Sequence, residues 1–221
     1  MSNDLKRLGQ VGGAAFIASG LLFLLRAVLD YLAGPPPLSG VELLAWTASN
    51  RLTLSLDSEI LFFAAVCLVP AVVALYYSLA GVDRLKAVTG CGIMAVTIPV
   101  LAAVLVMHGR LMYPVYGIRA ATPDLVALVV ALFYGGMHAI NLLLALATLV
   151  LSLAMRRAAF GKGIAYLGFV TVVADVIGSY PDQIGPALTL VTQVFLAAWF
   201  VAVGSSLFRT APFVASAQGQ G

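Results

Sequence analysis

Six long apolar runs divide the chain, each bounded by charged residues or by Gly and Pro: residues 10–33, 56–80, 87–108, 125–155, 163–180 and 184–208. About 20 apolar residues let a helix cross a bilayer. The pattern therefore predicts an all-α polytopic membrane protein, a bundle of six transmembrane helices in a single domain over 1–221. The fourth run is the longest and must tilt or project beyond the hydrocarbon, and the fifth is the shortest. Pro70 and Pro99 fall inside the second and third runs, where a membrane bundle tolerates a kink. Between the first two runs, residues 39–48 (SGVELLAWTA) read as a short interfacial helix with Ser39 as its cap and Trp46 at headgroup level. Residues 109–123, with Tyr113, Tyr116 and Arg119, form the longest candidate outer lid. The stretch 210–221, ending in small polar residues, reads as a flexible tail.

Composition agrees with this pattern. The chain is 62% hydrophobic and 10% charged, against roughly 25% charged in a soluble domain. Lys6 and Arg7 ahead of the first run give it the look of a signal peptide. No clean cleavage site follows, and the run continues into Gly34-Pro35-Pro36-Pro37, so it is read as a retained helix. The net charge of +3 is scattered over helix ends and forms no patch, which argues against a nucleic-acid partner. Cys67 and Cys91 lie within apolar runs without CxxC spacing and read as inert thiols. Lys6, Arg7, Arg84, Lys86, Arg156, Arg157, Lys162 and Arg209 share one side of the six-helix layout, with Arg51, Arg110 and Arg119 on the other and Arg26 near the end of the first helix. The positive-inside rule then predicts a multi-pass protein of the cell (inner) membrane with both termini cytoplasmic.

Depth separates candidate chemistry from helix ends. Counting about 20 residues from each cytoplasmic basic anchor puts Arg26, Asp30, Asp57, Glu59, His108 and Arg110 at the outer interface, as solvated helix ends. There Arg26 and Asp30 are spaced to pair along one helix. Asp175 is different: it falls roughly 18 Å up the fifth helix at 1.5 Å per residue. Burying its charge in lipid costs several kcal/mol unless a partner or a proton neutralises it. Thr171, Ser179, His138, Asn141, Thr192 and Gln193 are the candidate partners. A ligand contact and a structural hydrogen-bond anchor between helices explain such a residue equally well.

On the fourth helix, Tyr134, His138, Asn141, Ala145, Thr148 and Ser152 make a small and polar stripe along one face. Small and hydroxyl residues of this kind mediate helix packing in lipid. Gly9-x-x-x-Gly13, Gly90/Gly92 and Gly135-Gly136 read as further close-packing sites and leave a homo-oligomer through Gly-rich faces open. His108 and His138 alone do not make a bis-histidine haem site. No HExxH, P-loop or GxSxG pattern is present, and no cofactor or metal is predicted. The expected ligand-binding set is Asp175, His138, Asn141, Gln193 and Tyr134, an outward-facing polar pocket for a small or lipid-like ligand, with membrane lipid or a hydrophobic small molecule as partner. An enzyme using Asp175 and His138 as acid and base on a lipid or isoprenoid substrate, and a structural subunit of a membrane complex, are the alternatives.

The layout resembles a bacterial family of six-helix membrane proteins known as a domain of unknown function. The likeness is carried by the Gly-rich start Leu8-Gly9-Gln10-Val11-Gly12-Gly13, the polar segment from Ala48-Ser49-Asn50-Arg51 to Ser58-Glu59-Ile60, and the basic turn Arg156-Arg157 leading to Gly161-Lys162-Gly163. Gly161-Lys162 stands where a proline is expected. The resemblance implies the six-helix fold and carries no activity or site residues.

Overall fold

The computed structural model describes residues 2–117 and 120–217, with side chains described for 3–117 and 120–209. Arg119 of the outer loop and residues 218–221 of the tail lie outside the described residues. The architecture is all-helical: α1 (Ser2–Ala33), α2 (Gly40–Ser49), α3 (Arg51–Leu79), α4 (Arg84–Met112), α5 (Pro123–Met155), α6 (Lys162–Gly178), α7 (Pro181–Ile184) and α8 (Pro186–Ala217). Within the described residues, α1, α3, α4, α5 and α8 are long and apolar enough to cross a membrane. The fifth apolar run forms α6, whose 17 residues reach about 26 Å at 1.5 Å per residue.

Local signals set the boundaries. Asp83 caps α4 by accepting the Lys86 N–H at 3.1 Å, and Thr122 caps α5 with Pro123 behind it. Glycines in the left-handed region turn the chain after α1 (Gly34), before α6 (Gly161) and before α8 (Gly185). Ser39 stands at the N-cap of α2 without a side-chain cap bond. Trp46 Nε1 donates to the Ala33 carbonyl at 3.1 Å, fastening α2 to the end of α1.

The six longer helices after α2 is set aside form a closed ring, in the order α1, α3, α4, α5, α6, α8, with α8 returning to α1. Neighbours in the ring run antiparallel. Arg26, Ser19 and Gly12 of α1 meet Asp57, Ala64 and Ala74 of α3. Gly13 and Gly20 of α1 meet Gly204 and Phe200 of α8. A Cβ on Gly13 would stand 2.6 Å from the Gly204 carbonyl oxygen, so this seam requires glycine. Gly12, Gly13, Gly90 and Gly136 are thus spent on contacts within the chain, while Gly92 and Gly135 face open space. The core centres on the same seam, where Phe16 packs edge to face on Trp199 and Phe200, and Phe23 on Phe200.

Candidate functional site

Two polar centres lie inside the ring. The first joins four helices. Arg26 Nε donates to Asp57 Oδ1 on α3 at 3.0 Å, and its Nη2 donates to Asp30 Oδ2, one turn along α1, at 3.2 Å. Tyr134 of α5 donates to the other Asp30 oxygen at 3.2 Å. Ser58, beside Asp57, shares a 2.5 Å hydrogen bond with His108 Nδ1 of α4. The His108 ring stacks on Phe133 at 4.0 Å, and the guanidinium lies 5.7 Å from the same ring.

Arg26 is 8% exposed, Asp57 2% and His108 2%, so the expectation of solvated helix ends is corrected for these three. The depth count measures distance from the cytoplasmic anchor but not what covers the outer end. Here the helices extend past the apolar runs, and α2 folds over them. Leu43 packs with Val126 and Val130 of α5, and Arg51 Nη2 donates to the Met112 carbonyl at the end of α4. The Arg26–Asp30 pairing read from spacing is present.

The second centre lies between α5, α6 and α8. Asp175 is 1% exposed, and neither carboxylate oxygen has a hydrogen-bond partner. Thr148 Oγ1, Ser152 Oγ and Trp199 Nε1 are buried without a partner as well. Small residues let the three helices approach. A Cβ on Gly168 of α6 would collide with Ser152 Oγ and stand 2.7 Å from Trp199 Nε1, which puts these two groups against the same point of α6. One Cβ on Gly178 would meet Thr192 Oγ1. Thr171 Oγ1 donates to the Phe195 carbonyl at 3.1 Å. This register sets Asp175 level with Thr192 and Gln193 of α8. It lies about two turns along α6 from Gly168.

None of the six candidate partners reaches the Asp175 carboxylate. Thr171, Ser179 and Thr192 turn their hydroxyls to backbone carbonyls. His138 Nδ1 donates to the Ser179 carbonyl at 2.7 Å, which assigns the proton to that nitrogen, and its ring meets Tyr180 edge-on. Asn141 is half-buried and Gln193 buried at the same level. Tyr134 belongs instead to the Arg26 centre. The α5 stripe therefore runs from one centre to the other, with Tyr134 at the first and Thr148 and Ser152 at the second. Trp199 was missed by the sequence reading. Its signal is a donor-only indole in the middle of an otherwise apolar helix.

On the outer face of α6 and α8, where Val173, Ile177, Leu188, Val191 and Phe195 are exposed, an open groove of about 470 Å³ runs between the two helices, with Ala174 and Thr192 at its floor. Cys67 and Cys91 are unpaired thiols. Among the described residues, no group of three or more His, Cys, Asp or Glu is gathered as a metal site. No family model, curated protein or solved structure matches the chain.

Proposed function

We propose that this is a six-span protein of the cell membrane, with both termini cytoplasmic, that binds a small or lipid-like ligand through the polar centre around Asp175. The observation that carries the reading is the pair of unpartnered carboxylate oxygens on a side chain 1% exposed. Folded proteins satisfy the great majority of their buried polar groups, and each exception needs a cause. The contrast within the molecule is informative. The Arg26 centre also holds buried charge, in Arg26 and Asp57, yet its ion pairs and hydrogen bonds are made, as befits a clamp between helices. Among the described residues the unmet groups fall on α5, α6 and α8; Asp175 is an acceptor, and Trp199, about two turns along the same seam, is a donor.

The six-span reading is supported by α6 running antiparallel to both ring neighbours and by the eight-to-three excess of basic residues on the proposed cytoplasmic side. Kinship with the bacterial six-helix family is part of the same proposal and rests on layout. Acid–base catalysis by Asp175 and His138 is less well supported, because the two side chains share no hydrogen bond.

Native mass spectrometry of the detergent-solubilised protein tests the reading. A small-molecule adduct is expected on the wild type and absent from Asp175→Asn at unchanged folding. Asp175→Leu decides the structural alternative. A protein that is more thermostable with leucine, and carries no Asp175-dependent adduct, uses the acid for no ligand.

A further inference from the structure

Independently of the Asp175 centre, we propose that the protein holds one phosphatidylethanolamine in a second groove, on its membrane face between α4 and α5. An acyl chain lies in the groove, the phosphate meets Arg110, and the amine reaches Asp124.

The groove selects the chain. It measures about 510 Å³, and exposed Pro99, Ala103 and Met107 of α4 and Ala131, Leu132 and Gly135 of α5 line it among others. From Pro99 to Arg110 it follows about 16 Å of helix, roughly half the 30 Å of a bilayer's hydrocarbon. A groove confined to one leaflet suits a lipid chain, whereas the spanning helix of a partner runs through both. Gly136 is held to glycine by Val104, which a Cβ would strike, but a Cβ on Gly135 meets nothing within 4 Å. No contact inside the chain calls for glycine at 135, and glycine weakens a helix relative to alanine. Its bare backbone leaves room for an occupant from the membrane.

Charge selects the head. Ring neighbours are antiparallel, so α4 ends at Met112 on the side away from the start of α1 and the end of α8. Arg110 stands one turn beyond Met107, on the face of α4 that carries Pro99, Ala103 and Met107. On α5, the face with Gly135 and Ala131 continues through Leu128 to Asp124. Arg110 and Asp124 are both exposed, and neither has an ion pair among the described residues. The packing of Val104 on Gly136 sets Arg110 level with Val130, and Asp124 about 9 Å farther from the hydrocarbon. A cation at the groove mouth with an acid beyond it repeats the order of charges in a phosphoethanolamine head, phosphate next to the chains and ammonium outside. Guanidinium holds phosphate through paired, charge-assisted hydrogen bonds. Glu59, the exposed acid that the Ser58–His108 bond brings near this level, lies on α3, the opposite flank of α4.

Native mass spectrometry of the protein in detergent, titrated with dioleoylphosphatidylethanolamine, reads the site. One lipid per chain should bind saturably to the wild type. Its apparent Kd should rise roughly tenfold or more in Arg110→Gln, through loss of a charge-assisted contact. It should rise similarly in Gly135→Leu, which fills the groove and keeps both charges. Arg110→Lys should recover part of the binding. The wild type should prefer phosphatidylethanolamine to phosphatidylglycerol, and Asp124→Asn should lose that preference. The lipid should stay bound in Asp175→Asn, which separates it from the occupant of the interior centre. Melting temperatures matching the wild type's show that each variant is folded. Binding unaltered in Arg110→Gln or in Gly135→Leu marks annular lipid only and overturns the proposal. Equal retention of the two lipids by the wild type overturns the assignment to phosphatidylethanolamine. A wild-type dimer that dissociates in Gly135→Leu gives the groove to a second copy and overturns it as well.

Discussion

Arg26 shows how much one side chain holds. Its guanidinium reaches Asp57 on α3 and Asp30 on α1 and lies close to Phe133 of α5. Removing it strands Asp57, which among the described residues pairs with no other cation, so Arg26→Ala should cost about 3–5 kcal/mol and lower the melting temperature in detergent. Arg26→Lys should recover only part of the loss, because an ammonium does not reproduce the planar fork that serves two carboxylates. A melting temperature unchanged in Arg26→Ala would show that the pair is solvated. Of this centre, only the Arg26–Asp30 spacing was legible in the sequence, since i,i+4 neighbours are fixed by helix geometry alone. The Asp57 contact spans 31 positions and depends on the register of α1 against α3, which no local pattern encodes. The isolation of Asp175 was legible as depth, but that its candidate partners all turn to backbone carbonyls was not.

At the scale of the element, the apolar runs located the helices and understated the length of most of them, α6 excepted. The run 56–80 is embedded in a helix that starts at Arg51, and the run 87–108 in one that ends at Met112. Polar side chains continue a helix once protein, not lipid, surrounds its end. The start of α4 illustrates a boundary set by charge. Asp83 accepts hydrogen bonds from the Lys86 ammonium and from the Lys86 N–H, and these hold its carboxyl below the usual carboxylate range. A carboxyl depressed in the folded state lends stability that is complete above its unfolded pKa and is lost as pH falls through the lower folded one. Acidification below the ordinary aspartate value of about 3.9 should therefore lower the melting temperature of the wild type by more than that of Asp83→Asn, which keeps a capping oxygen but cannot titrate. Equal acid sensitivity in the two proteins would remove Asp83 from the account.

For the whole molecule, ring order makes the membrane path of α6 measurable. In a Cys67→Ala/Cys91→Ala background, single cysteines replacing the exposed Ala159 and Asp182 flank the two ends of α6. If α6 crosses the bilayer, a membrane-impermeant maleimide should label position 182 on intact cells and position 159 only after the membrane is opened. Labelling of both from one side would reduce the protein to five spans with α6 as a buried re-entrant helix. Composition and period predicted helices in lipid, but not that the last helix returns to the first, because ring closure is a property of seams such as Gly13 against Gly204 and not of any one segment.

That closure imposes an order on biosynthesis. Because α1 packs against both α3 and α8, it leaves the ribosome with neither neighbour. Asp30 is the acid one turn from Arg26 on its own helix, so the i,i+4 pair can form before Asp57 is made. The aromatic flank of Phe16 waits longer, for Trp199 and Phe200, which are translated almost a full chain later. A chain halted before Pro186 thus leaves this face of α1 without the helix that seals it.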